Sequence, residues 1–252
     1  KVFRLCTQKT MYLIGVVDEE GFLGHIYYGK RFDDYHLSYL MRTNEAPYVP
    51  STNNRDRLSF LDTFPMEYST HGTGDFRESS IRIRTKEGHL ACPLSYVSHQ
   101  IIKGKPKLKG LPATFGKEDE CETLEITCMD TILQLEIVIS YTVFHDVDAM
   151  TRSVRLKNNG DHSLAIEKVY SLCLDMDNEE YEMLTLHGSW GRERYIQRRT
   201  IGLGKQSVGS IRGESSHQEH PFMGILSKHA TQDAGKVYGF HFVYSGNFLA
   251  QD

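Results

Sequence analysis

The chain has 252 residues, 29 basic and 33 acidic, for a formal charge of -4. That near balance gives no electrostatic reason to expect nucleic acid or an anionic membrane as a partner, and no apolar run approaches the ~18 residues of a membrane span. A domain of this length buries roughly 70–75% of its unfolded surface, so its core needs no disulfide or metal.

The five cysteines, Cys6, Cys92, Cys121, Cys128 and Cys173, are odd in number and contain no Cys-x-x-Cys pair. They point to reduced thiols, and with no secretory signal visible the expectation is a soluble, cytoplasmic protein.

Period-two alternation dominates wherever a period can be read. Tyr12, Ile14 and Val16 lead through Asp18-Glu19-Glu20-Gly21 into Phe22–Tyr28, which predicts a hairpin. Tyr35 to Asp75 follows as a long excursion with Pro47, Pro50, Pro65 and the cluster Ser51-Thr52-Asn53-Asn54. Its aromatics, Tyr48, Phe60, Phe64 and Tyr68, speak for an ordered loop that docks on something rather than for disorder.

Further along, Leu124, Ile126 and Cys128 alternate with Glu125 and Thr127, and a turn at Asp130-Thr131 folds that strand onto its successor. The successor has the clearest pattern in the chain: Leu133, Leu135, Ile137, Ile139, Tyr141 and Val143 on one face, mostly polar residues on the other. Strands are also predicted at Met150–Leu156, Leu164–Met176 and Val237–Tyr244, with turns at Asn158-Asn159-Gly160-Asp161 and Asp177-Asn178.

No amphipathic helix of ten or more residues is visible. The fold class is therefore all-β, a large antiparallel β-sandwich domain over residues 1–252 with an ordered loop excursion near its start. The chain opens at Lys1 without a methionine and stops just after an apolar strand-like run, so a piece of a longer polypeptide is expected.

The stretch RGESSHQEHPF, Arg212 to Phe222, raises two chemical readings. Glu214, His217 and His220 offer the donor set of a zinc site, but zincin histidines sit four apart on a helix, whereas these are three apart beside Pro221. Ser215 or Ser216 with His217 suggests a nucleophile and its base, yet such a pair must be assembled through space, and no Gly-x-Ser-x-Gly elbow is present. The competing reading is a corner whose polar side chains satisfy backbone groups.

Trp190 to Arg199 joins the only tryptophan to four arginines, a combination able to grip a sugar or a nucleic-acid strand; the plainer reading is an exposed strand of alternating charge. Asp146/Asp148 and Asp175/Asp177 have the spacing of paired glycosidase carboxylates, but they fall at strand ends, where aspartate is common for conformational reasons.

The motifs nevertheless form an ordered set: Gly104-Lys105-Pro106-Lys107-Leu108-Lys109-Gly110-Leu111-Pro112-Ala113-Thr114, Glu122-Thr123-Leu124-Glu125-Ile126, Thr151-Arg152-Ser153, Gly188-Ser189-Trp190-Gly191-Arg192-Glu193-Arg194, Arg212-Gly213-Glu214-Ser215-Ser216-His217-Gln218, and Val237-Tyr238-Gly239-Phe240 through Tyr244-Ser245-Gly246-Asn247-Phe248-Leu249-Ala250-Gln251. This series resembles, almost end to end, the N-terminal domain of the bacterial α-galactosidases of glycoside hydrolase family 36.

The resemblance implies a β-supersandwich that precedes a (β/α)₈ barrel and a small C-terminal β domain. It further implies that the barrel's two aspartates carry a retaining hydrolysis of terminal α-galactosyl residues from sugars such as raffinose and melibiose. Neither aspartate falls in this chain, so the expectation is no catalytic residue, no metal, no cofactor and no activity of the chain alone.

Tetrameric members use this domain in subunit contacts, and a loop from it reaches a neighbour's active site. That implies a homotetramer, with the chain's own barrel and neighbouring subunits as partners. It also implies a substrate-binding role for Arg57, in Asp56-Arg57-Leu58-Ser59-Phe60-Leu61-Asp62, whose planar donor fork suits sugar hydroxyls. Between Asp33 and Asn53 the sequence departs from the family pattern, and the acidic partner of Arg57 has no assigned counterpart. The alternative is a stand-alone carbohydrate-binding β-sandwich using the Trp190 segment and the aromatic loop.

Overall fold

The computed structural model describes residues 1–17, 21–34, 37–40, 64–72, 77–110, 112–176 and 179–252. They divide into two compact units, the first of Lys1–Pro106 and Gly116–Met176, the second of Lys107–Phe115 and Asp177–Asp252. The structure is all-β and its sheets are antiparallel, as expected; a short 3-10 helix at Leu37–Leu40 is the one helical element among the described residues.

In the first unit β1 (Val2–Cys6), β2 (Thr10–Val17) and β3 (Phe22–Lys30) form a three-stranded antiparallel sheet. The β2–β3 pairing is the predicted hairpin; its turn residues 18–20 lie outside the described residues. β4 (Ile81–Arg84) pairs with β9 (Ala165–Val169). A four-stranded sheet runs in chain order through β5 (Ser95–Lys103), β6 (Cys121–Asp130), β7 (Leu135–Phe144) and β8 (Met150–Asn158).

The β6–β7 turn is fixed by Asp130, whose Oδ1 accepts from the amides of Ile132 (2.8 Å) and Leu133 (3.0 Å). The predicted alternation is realised: Leu135, Ile137, Ile139, Tyr141 and Val143 enter one buried cluster with Leu124, Ile126 and Cys128 of β6. Tyr12, Ile14 and Leu23 of the three-stranded sheet belong to the same cluster, so the two sheets share one core.

One predicted strand is shorter than expected. Of Leu164–Met176 only Ala165–Val169 pairs, because its partner β4 offers four residues and no more. Beyond it the backbone serves other groups: Tyr170 N–H donates to Ser80 O (2.8 Å), and Cys173 O accepts from Arg152 Nη1 (3.1 Å). Likewise Val237–Tyr244 is a strand only to His241, since Tyr244 N–H turns back to Phe242 O (2.9 Å).

Residues 41–63 of the predicted excursion, and with them Arg57, lie outside the described residues. The segment after them is anchored to β3: His25 N–H donates to Pro65 O (2.7 Å) and Glu67 N–H to Leu23 O (3.0 Å). The Phe64 ring lies over Gly24, where a Cβ would meet the ring Cζ at 2.3 Å, so a side chain at that position would displace the ring.

This anchoring delivers Glu67 into the interior with no exposed surface. Its carboxylate accepts from Tyr12 Oη (2.8 Å to each oxygen) and Tyr141 Oη (2.7 Å), pairs with Arg152 Nη1 (2.8 Å) and lies 3.2 Å from His25 Nδ1. Arg152 Nη2 also donates to Glu67 O (3.0 Å). Its guanidinium lies over the ring of Tyr141, 5.2 Å from the centroid.

Two charges so deeply placed cost several kcal/mol each to desolvate, which their mutual attraction and the added hydrogen bonds must offset; of the Arg152 nitrogens both Nη groups are paired and Nε has no partner among the described residues. Burial alone would push the Glu67 carboxyl up; Arg152, His25 and Tyr141 outweigh it and hold the carboxyl below its ordinary value. Burial and the Glu67 charge push both Tyr12 and Tyr141 well up, so both phenols remain donors.

The second unit has a four-stranded antiparallel sheet of β10 (Tyr181–Ser189), β11 (Arg192–Thr200), β13 (Glu219–Ser227) and β14 (Val237–His241) in the order β11-β10-β13-β14. β12 (Ser207–Ser210) pairs with β15 (Phe248–Gln251). Met183 and Ile225, paired across β10 and β13, are its buried centre.

Because the Glu67 pKa is lower in the folded chain than in the unfolded one, its stabilisation is present above about pH 4.5 and is lost as pH falls through the folded value. Thermal melts between pH 7 and 3 check this. Glu67→Gln, which leaves Arg152 buried and unpaired, should destabilise by about 3–5 kcal/mol at neutral pH and flatten the acid limb of the profile.

Candidate functional site

The second unit brings together three of the motifs singled out in the sequence. β10 and β11 are joined by Trp190-Gly191: Ser189 pairs with Arg192, and Gly191 takes φ 75°, a left-handed value that glycine reaches without a Cβ penalty. At the root of this hairpin, a Cβ on Gly188 would lie 2.1 Å from Arg192 O, so the crossing requires glycine. Gly188 N–H donates to Gln218 O (3.1 Å), which seats the Arg212–Phe222 stretch against the hairpin.

That stretch is then tied to the Tyr244–Asn247 turn. Gly213 N–H donates to Asn247 Oδ1 (2.7 Å), Ser215 N–H to Ser245 O (2.8 Å) and Ser215 Oγ to Tyr244 O (3.1 Å). Ser216 Oγ accepts from Gln218 N–H (3.3 Å), and Arg212 Nη1 donates to Gln218 Oε1 (2.5 Å). This is the hydrogen-bonded corner read from the sequence.

Glu214, His220 and Ser215, which the chemical readings invoke, have other partners. Glu214 is engaged by Arg212 (3.3 Å) and His220 packs on the His241 ring (centroids 5.7 Å). Among the described residues no group of three His, Cys, Asp or Glu side chains is placed to hold a metal. The Ser215 hydroxyl donates to a backbone carbonyl, not to an imidazole, which leaves it no base.

The paired aspartates hold loops: Asp148 accepts from the Thr7 and Thr10 hydroxyls, and Asp175 pairs with Arg77 (3.4 Å). Asp177 lies outside the described residues.

A line of groups that sequence reasoning missed runs along the β10 bulge. Thr185 Oγ1 lies 2.6 Å from His187 Nε2, and His187 Nδ1 lies 2.8 Å from Glu219 Oε2. Hydroxyl, imidazole and carboxylate in line resemble a nucleophile relay. Thr185, however, has no exposed surface, so no substrate reaches its oxygen. The line stitches β10 to β13 where their register shifts between Thr185 and His187. Thirty-four residues of chain separate Thr185 from Glu219, and only sheet pairing joins them; a period-two reading offered no signal for it.

Alongside, burial, His241 and Arg194 push the His220 imidazole below its ordinary pKa. Arg194 itself sits at φ 59°, a left-handed value unusual for a side-chain-bearing residue inside a strand.

A family model described as the glycosyl hydrolase family 36 N-terminal domain matches residues 21–251. The chain belongs to that family. It is 39% identical over 252 residues to the α-galactosidase AgaA of Geobacillus stearothermophilus, spanning all of this chain and 34% of the relative. It is 40% identical over 254 residues to the bifunctional α-galactosidase/sucrose kinase AgaSK of Mediterraneibacter gnavus, 27% of that protein.

The crystal structure of an AgaA variant in complex with raffinose matches with a TM-score of 0.92 at 39% identity, over all of this chain and 35% of that one. The chain thus spans about a quarter to a third of the relatives' length and corresponds to their N-terminal part. The sequence-based assignment to this family and to its all-β fold holds.

His187→Ala should orphan the buried Thr185 hydroxyl at a cost of about 1–3 kcal/mol, and Thr185→Val in the same background should recover part of it, both read from denaturant midpoints. In the folded chain His220 resists protonation, so as pH falls below about 6.5 the unfolded state binds the proton first and stability drops. Removing the neighbouring charge with His241→Gln should move the His220 titration, followed by imidazole NMR, back toward the ordinary value.

Proposed function

We propose that this chain is the non-catalytic N-terminal domain of an α-galactosidase that removes terminal α-galactosyl residues from oligosaccharides such as raffinose and melibiose. The observation that carries this reading is collinearity. The whole chain aligns with α-galactosidases, one of them solved with raffinose and another variant with stachyose, while covering 35% of each solved chain. In this reading the retaining two-carboxylate chemistry resides in the polypeptide that the relatives carry beyond the matched region.

The domain contributes to assembly of a cytoplasmic homotetramer and to the substrate entrance, where Arg57 holds sugar hydroxyls through its donor fork. The contents of the corner support a non-catalytic role: its serines, Glu214 and Gln218 are spent on holding backbone and one another.

With p-nitrophenyl α-galactoside this chain alone should give no turnover above background, whereas the full-length polypeptide should hydrolyse it. Turnover by the 252-residue chain itself would end the proposal. In the full-length protein, Arg57→Ala should raise KM for raffinose about tenfold, the scale of 1.4 kcal/mol, and leave the melting temperature unchanged.

A further inference from the structure

The Trp190 hairpin is used by nothing described so far. Trp190 is the only tryptophan of the chain and is 91% exposed at the hairpin tip. A large ring in such a position is out of place on a surface unless something covers it. Its neighbours limit what that can be. From His187 to Glu193 the other residues are small or polar, and the large exposed side chains of the hairpin, Tyr195 and Ile196, follow further along β11.

Two of those polar groups have preset orientations. Arg192 Nε donates to Ser189 Oγ (3.0 Å), which fixes the guanidinium plane; its Nη groups have no partner among the described residues. Gly191 N–H donates to Glu193 Oε1 (2.7 Å), which orients that carboxylate. The backbone amides of Gly191 and Glu193, with His217 and Arg194, also keep the Glu193 carboxyl below its ordinary pKa, so it stays an acceptor at neutral pH.

A flat apolar ring flanked by one oriented acceptor and one oriented donor fork suits a pyranose, which has a C–H face and a rim of hydroxyls that both donate and accept. Galactose is well matched, because its axial 4-hydroxyl leaves the C3, C4 and C5 hydrogens together on one face.

We infer that the Trp190 hairpin is a surface binding site for α-galactosyl oligosaccharides, with the indole as platform and Arg192 and Glu193 as hydrogen-bonding flanks. The choice of sugar rests on the reading under Proposed function; the site itself rests on the hairpin. The site does no chemistry. It holds substrate near the enzyme, with a dissociation constant on the order of millimolar, as expected for a single ring and two flanking groups.

Having one tryptophan, the chain reports on this site directly. Titrating the 252-residue chain with raffinose should change Trp190 emission with saturation, while sucrose, which lacks the galactosyl unit, leaves it flat. Glu193→Gln and Arg192→Ala should each weaken the raffinose response several-fold with unchanged far-UV circular dichroism. Emission indifferent to raffinose would overturn the inference. So would an emission shift that follows protein concentration instead of sugar, since a second copy would then cover the indole.

The two readings fail separately. If the full-length polypeptide hydrolyses p-nitrophenyl α-galactoside but Trp190 ignores raffinose, the surface site is wrong and the enzyme assignment stands. If Trp190 binds raffinose but the full-length polypeptide lacks hydrolysis, the reverse holds.

Discussion

One buried carboxylate organises the first unit. Glu67 receives hydrogen bonds or charge from Tyr12 on β2, His25 on β3, Tyr141 on β7 and Arg152 on β8. These strands belong to two different sheets, so a single side chain ties together the halves of the sandwich, and Arg152 adds the backbone at Glu67 and Cys173. Hydrophobic burial supplies most of the driving force for such a core but is indifferent to register. A charge without water tolerates one arrangement of donors, which gives this core its specificity.

The second unit follows another logic. Its polar groups gather at one end of a sheet, where a glycine-dependent hairpin, a serine-rich corner and a turn hold each other in place. In the first unit polar groups specify a core; here they specify loops and leave the indole of Trp190 facing out. Residue types that in sequence resemble a metal site or a nucleophile serve as local scaffolding, because the hydroxyl protons and amide oxygens are already used.

How much of this could be read in advance depended on the range of the interaction. Period-two alternation located β7 and β6 and their turn because every residue in a strand repeats the signal. It overextended β9, because strand length is set by the partner, and β4, four residues long and far away in sequence, was not visible as a limit. Tyr12 and Tyr141 registered only as apolar positions. Arg152 entered as part of the Thr151-Arg152-Ser153 motif with no physical role; its meaning requires Glu67, 85 residues away. The His187 line to Glu219 was hidden for the same reason, while at the corner the bond from Gln218 N–H to Ser216 Oγ was legible as a local polar-residue habit and the bonds from Ser215 to Tyr244 and Ser245 were not.

Hydrogen exchange on Glu67→Gln under native conditions tests the central claim, that this one buried charge couples the two sheets of the first unit. The account predicts that amides of β2 and β3 and amides of β7 and β8 lose protection together, while those of β10 and β13 in the second unit keep theirs. Loss confined to the Phe64–Gly72 segment, with both sheets as protected as before, would contradict it.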